Sequence, residues 1–122
     1  MNECIISIGS NIDAESNISK MLEILKTKVD VLQISSFINT KPIGITNQAD
    51  FTNGAVKIRT HFDMDSLTRE LKKIEDDLER DRTAPKYGPR TIDLDIIIWN
   101  GKIMDQDYYE RDFIRQSVKE IT

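Results

Sequence analysis

At 122 residues the chain has room for one domain built around a single core. Its 39% hydrophobic and 31% charged residues are ordinary for a soluble globular protein, and no apolar run approaches the roughly 20 residues of a membrane span. A net charge of −4 speaks against broad binding to nucleic acids or anionic membranes. The start, MNECIISIGSN, carries an acid where a secretory signal would carry basic residues, so a cytoplasmic protein is expected. One cysteine, Cys4, leaves no internal disulfide to form and reads as an inert core residue.

Along the chain, residues 3–8 (ECIISI) come first, a short apolar strand that ends at the turn residues Gly9, Ser10 and Asn11. Ile18, Met21, Leu22 and Leu25 recur at helical spacing, with Asp13 as the expected cap. Residues 29–38 read as one strand of imperfect alternation, followed by the loop TKPIGITNQAD at 40–50. Residues 51–60 read as a strand with Val56 and Ile58 on one face and Lys57 and Arg59 on the other. Leu67, Leu71, Ile74 and Leu78 mark a second amphipathic helix, capped by Asp63 or Asp65. The stretch EDDLE at 75–79 is acidic. It runs into a basic loop, 80–90, that carries Arg80, Arg82, Lys86 and Arg90 against Asp81 alone. Residues 91–99 form a last strand, Asn100-Gly101 a tight turn, and 105–122 a tail with a short helix. His61 and the acids Asp76, Asp77 and Glu79 read as surface residues, and Trp99 as packing.

The order β-α-β-β-α-β predicts an α+β, ferredoxin-like fold, an antiparallel sheet with helices packed on one face. That fold serves many functions, so function has to come from particular residues.

The last strand carries an anomaly. Asp93 and Asp95 sit one residue apart in an Ile/Leu-rich run, where burying charge is costly. On a strand both point to one face, with Cα atoms roughly 6–7 Å apart, and Leu94, Ile96 and Ile98 take the other. Two carboxylates at that spacing can share divalent cations, and arginine forks suit phosphate oxygens. Arg80, Arg82 and Arg90 stand just ahead of the pair. Structural salt bridges on an exposed sheet face would give the same pattern. No phosphate-binding glycine loop of the GxxxxGK[ST] kind is present.

The run K-Y-G-P-R-T-I-D-L-D-I-I at 86–97 resembles the signature of the 6-hydroxymethyl-7,8-dihydropterin pyrophosphokinases of folate biosynthesis. I8-G9-S10-N11, S35-S36-F37, T40-K41-P42-I43-G44, Q48 to V56, I74-E75 and R80-D81-R82 are similar to that family in the same order. The resemblance spans residues 4–115. It implies one pyrophosphokinase domain over 1–122 that transfers pyrophosphate from ATP to 6-hydroxymethyl-7,8-dihydropterin and releases AMP. Two Mg2+ ions on Asp93 and Asp95 would answer the anomaly, metal rather than protein offsetting the charge. By the same resemblance Arg82 and Arg90 act with that pair in catalysis. Glu75, Arg80, Tyr87 and Arg111 join the two arginines around the nucleotide. Gly9, Thr40, Ile43, Phe51, Asn53 and Phe113 surround the pterin, the two phenylalanines stacking on it. Loop 81–90 would act as a lid that excludes water. A monomer with no nucleic-acid or membrane partner is expected.

The chain departs from the family in three ways. It lacks the extension that members commonly carry after the last matched segment, and the link from Asp95 to Arg111 is short. Where a histidine contacts nucleotide phosphate, this chain reads D105-Q106-D107. Acids there repel phosphate and should weaken ATP binding. A diverged paralogue that binds pterin or nucleotide with little catalysis is the alternative reading. An RNA-binding module of the same fold would want basic and aromatic residues together on its central strands; the acidic balance and the aspartates of the last strand speak against it.

Overall fold

A computed structural model describes residues 1–122 apart from Ala84 and Lys86. Lys86, part of the basic loop in sequence, therefore lies outside the described residues. The elements are β1 (Asn2–Ser10), α1 (Ala14–Lys26), β2 (Asp30–Ile34), β3 (Ile38–Thr40), β4 (Phe51–Thr60), α2 (Met64–Asp77), β5 (Asp93–Trp99), β6 (Lys102–Ile103), α3 (Asp107–Glu110) and α4 (Asp112–Glu120).

The sheet runs β2-β4-β1-β5-β6, all antiparallel, with β3 also paired to β4. The predicted β-α-β-β-α-β order is there, with β1 and β4 at the centre. Alternation along β1 sends Cys4, Ile6 and Ile8 to one face and Ile5, Ser7 and Gly9 to the other. On the first face α1 contributes Ile18, Met21 and Leu25, and α2 contributes Leu67, Leu71 and Ile74, to the main core. Asp63 caps α2 as expected, its carboxylate accepting the Ser66 N–H at 2.7 Å. Asp13 does precede α1 but makes no side-chain cap bond; it sits in the left-handed region at φ 43°.

Three local expectations change. The strand expected over 29–38 is two strands, β2 and β3. At the break, the Ser35 hydroxyl accepts the Ala55 N–H at 2.8 Å in place of a backbone carbonyl. The chain then lifts off the ladder and lays Phe37 on Gly54, where a Cβ would come within 2.6 Å of the ring. Second, β5 carries an extra residue against β1: Ile5 pairs with Ile98, but Ile6 pairs with Ile96. A one-residue insertion reverses the facing of every later residue on the strand. Ile98 therefore packs with the second cluster rather than beside Leu94 and Ile96, and Trp99 packs against the main core instead.

Third, helices cover both faces. The tail folds into α3 and α4, and α4 sets Ile114 and Val118, followed by Ile121, against Ile5, Ala55 and Ile97. No helix among the described residues is long and apolar enough to cross a membrane.

Candidate active site

The second sheet face is only partly covered by α4. Beyond it a cleft of about 830 Å³ opens between the sheet, loops 41–50 and 80–90, and the α3–α4 segment. Its floor is set by register. Gly9 on β1 pairs with Asn53 of β4 on one side and with Asp93 of β5 on the other. Ser7 lies across from Asp95. Asp93 and Asp95 thus face the cleft together, as strand parity predicts. A Cβ on Gly9 would stand 3.1 Å from the Asn53 side-chain oxygen, so this position is small to leave room for that amide.

The residues singled out from the sequence all border this one cleft. Gly9, Thr40, Ile43, Phe51, Asn53 and Phe113, expected around the pterin, are among its lining residues. Asn53 is buried and donates its amide N–H to the Thr40 hydroxyl. Glu75, Arg80, Arg82, Tyr87, Arg90, Asp93, Asp95 and Arg111 line it as well.

The charged end is an ordered network. Glu75 is 2% exposed. One of its oxygens accepts the Leu94 N–H at 2.8 Å and faces Arg80 Nη1 at 2.8 Å; the other faces Arg82 Nη2 at 3.1 Å. Burial pushes the Glu75 carboxyl up from its ordinary pKa, against the pull of the Leu94 N–H and Arg80. The same Arg80 nitrogen reaches Asp93 Oδ1 at 3.1 Å, and Arg90 Nη1 reaches Asp93 Oδ2 at 3.0 Å. Arg82 is held outward, with its Nε on Asp76 at 2.9 Å.

Asp95 differs. Among the described residues no lysine or arginine pairs with it. Its carboxyl is pushed up to about 7, first by burial and then by the charges of Asp93, Asp105, Glu75 and Asp107. The expectation that protein partners do not offset these aspartates therefore describes Asp95, whereas Asp93 has two guanidinium partners.

A family model described as 7,8-dihydro-6-hydroxymethylpterin-pyrophosphokinase (HPPK) matches residues 5–122. The chain belongs to the HPPK family. It is 34% identical to a 2-amino-4-hydroxy-6-hydroxymethyldihydropteridine pyrophosphokinase of Bacillus subtilis, over 98% of this chain and 78% of that protein. The like-named Haemophilus influenzae protein is 30% identical over 89% of this chain and 74% of its own length. A folate synthesis bifunctional protein of Arabidopsis thaliana is 33% identical over 80% of this chain, which is only 20% of that larger protein. Members of the HPPK family are enzymes, ATP-dependent diphosphotransferases of folate biosynthesis.

Two features of this HPPK-family cleft were not foreseen. The sequence pointed to Asp105 and Asp107 only as a departure. Both line the cleft, and Asp105 accepts the Asp107 N–H at 2.8 Å. Burial and Asp105 in turn push the Asp107 carboxyl upward.

The second feature is the share that α2 takes in the cleft wall: Met64, Thr68, Leu71 and Lys72 line it together with Ile96 and Met104. The signal was present in the sequence. Residues 64, 68, 71 or 72 and 75 form one helical stripe next to the core stripe, and Glu75 already pointed to it.

Proposed function

We propose that this chain transfers the terminal pyrophosphoryl group of ATP, in one step, to the hydroxymethyl oxygen of 6-hydroxymethyl-7,8-dihydropterin. The hydroxyl oxygen bonds to the β-phosphorus, the bond between the β-phosphorus and the α–β bridging oxygen breaks, AMP leaves, and the hydroxyl proton passes to solvent. The carrying observation is the continuity of the cleft. The Asn53 amide and the Phe51 and Phe113 rings line the same space as the arginines and aspartates.

Asn53 can both donate and accept, as the edge of an aminopyrimidinone requires. Phe51 and Phe113 offer ring faces to a flat heterocycle. The Met64, Leu71, Ile96 and Met104 side chains of the cleft wall offer apolar surface to the adenine. Arg90 lines the cleft beside Asp93, and Arg82 would turn inward from Asp76; both offer planar forks to the polyphosphate.

Mg2+ belongs to this reading, and the donor set fits it. Asp95 is a half-buried carboxylate among carboxylates, short of positive charge. Among the described residues no group of three or more acidic, His or Cys side chains could hold an ion alone. Two magnesium ions on Asp93 and Asp95 would therefore complete their coordination with phosphate oxygens and water, which is magnesium's habit. When bound, the ions neutralise the polyphosphate and align it with the attacking oxygen. Phosphoryl transfer of this kind needs little covalent chemistry from the protein, so positioning and electrostatics carry the rate.

One sheet with β1 at its centre supports a single domain over 1–122. Family membership supports ATP and the pterin as partners, and a cytoplasmic monomer is part of the same proposal. The test is AMP release from ATP, magnesium and 6-hydroxymethyl-7,8-dihydropterin, followed by chromatography. Pterin-dependent AMP is expected. Pterin binding without AMP would overturn the proposal in favour of a binding paralogue.

A further inference from the structure

We infer that Arg115 on α4 is a positioning residue for the nucleotide: it holds the turn between α3 and α4 in the shape that carries Arg111 into the cleft. The inference rests on the function proposed for this cleft and adds a residue that stands behind the cleft wall.

The turn needs holding. α3 is four residues long, Asp107–Glu110, and its last helical bond runs from the Arg111 N–H to the Asp107 carbonyl at 2.9 Å. Arg111 itself is extended, at φ −118° and ψ 106°, and α4 starts at Asp112. The chain therefore leaves the helix before later N–H groups can meet the carbonyls of Tyr108 and Tyr109 in the α-helical manner. A helix this short has little stability of its own.

Arg115 supplies the missing donors. Its Nη1 donates to the Tyr108 carbonyl at 2.8 Å and to the Tyr109 carbonyl at 2.6 Å, while its Nη2 pairs with the Asp112 carboxylate. One planar group thus binds the chain on both sides of Arg111. With 38% of its side chain exposed, Arg115 can be replaced without opening the core.

Arg111 and Phe113 both reach the cleft from this turn, but they are anchored differently. Phe113 packs against the second core cluster. The Arg111 guanidinium has Asp107 at 3.9 Å, the outer limit of an ion pair, so its placement depends on the turn that bears it. Loss of the Arg115 bridge should release Arg111 and leave Phe113 seated. Lysine cannot take over, because an ammonium is a point donor without the fork that spans two carbonyls and a carboxylate.

The test is titration calorimetry of α,β-methylene-ATP with magnesium, and separately of the pterin. That analogue carries a methylene in place of the oxygen at which transfer would break the bond. Arg115→Ala should weaken nucleotide binding by about tenfold or more and leave the pterin Kd within about threefold. Arg115→Lys should lose about as much. It keeps the stem and the charge beside Asp112, and it stands in should the alanine variant not fold. In an Arg111→Ala background the same change at Arg115 should move the nucleotide Kd by less than about twofold, since the residue being positioned is gone.

Unchanged nucleotide affinity in Arg115→Ala, or full rescue by lysine, would overturn the assignment. So would an equal loss of both ligands, or a tenfold loss that persists without Arg111; either marks a merely structural contact. If the unmodified chain makes pterin-dependent AMP and Arg115→Ala binds the analogue as tightly, only the positioning role fails. If it binds the analogue but makes no AMP, the proposed reaction fails and the Arg115 comparison still decides the positioning. Binding of neither ligand overturns both.

Discussion

Asp95 should cost the metal-free protein stability at neutral pH, and Asp95→Asn should recover it. The fold holds this carboxyl near 7 against an ordinary 3.8. The folded state thus retains a proton that the unfolded chain gives up. The stability tied to that proton is fully present below pH 3.8 and is lost as pH rises through about 7. At about 1.36 kcal/mol per pH unit the loss is at most roughly 4 kcal/mol. Water in the open cleft reduces it, so we expect a gain of about 1–3 kcal/mol for the asparagine variant above pH 7. At roughly 4 °C per kcal/mol that is a rise of about 4–12 °C in Tm.

The assay is a pair of urea or thermal melts at pH 4 and pH 8, each in EDTA and in magnesium with ATP. The advantage of the variant should vanish at pH 4. At pH 8 it should shrink or reverse when magnesium and ATP are added, since only the parent gains binding energy through this carboxylate. A variant less stable than the parent at pH 8 in EDTA, or an advantage independent of pH, would refute the reasoning.

Three further expectations use the same geometry. Glu75→Ala leaves the Leu94 N–H without an acceptor and Arg80 with Asp93 alone, and should cost about 3 kcal/mol in urea unfolding; wild-type stability would show that the network contributes nothing. Arg90→Ala should lower turnover by about 100-fold or more while changing pterin affinity far less; equal losses would make Arg90 a pterin or structural residue. Gly54→Ala drives a methyl to 2.6 Å from the Phe37 ring and should destabilise by about 1–3 kcal/mol; a neutral result would mean that Phe37 moves aside freely.

Alternation and helical period made most of the frame legible in the sequence. Val56 and Ile58, the α2 stripe and the Asp63 cap are local patterns, and each element formed where its pattern lay. What stayed hidden depends on distant partners. Nothing in VLQISSF says that the Ser35 hydroxyl will replace a carbonyl on the β4 ladder. The run DIIIW has no polar residue after Asp95 to report facing, so the inserted residue that turns Ile98 over left no trace. The helical tail carries an apolar stripe, but the sequence did not say which sheet face would receive Ile114 and Val118.

The aspartate pair shows the same dependence inside the site. In sequence D-L-D is symmetric, and both residues carry the same expected role. In the fold the symmetry is gone. Asp93 lies at the start of β5, beside the segment that brings Arg80 and Arg90, and is neutralised from two sides. Asp95, two residues further on, passes beyond their reach and meets Asp105 and Asp107 instead.

Placing a carboxylate there is unfavourable for the empty protein, and adding acids around it compounds the cost. A divalent cation reverses the sign of each of these interactions at once. The acids that were expected to weaken a phosphate contact can therefore strengthen the hold of Asp95 on the metal that accompanies the phosphate. Asp105→Asn separates the two effects. It should lower the pH at which Asp95 ionises and raise the magnesium concentration needed for half-maximal ATP binding. A lower magnesium requirement would show that phosphate repulsion is the larger effect.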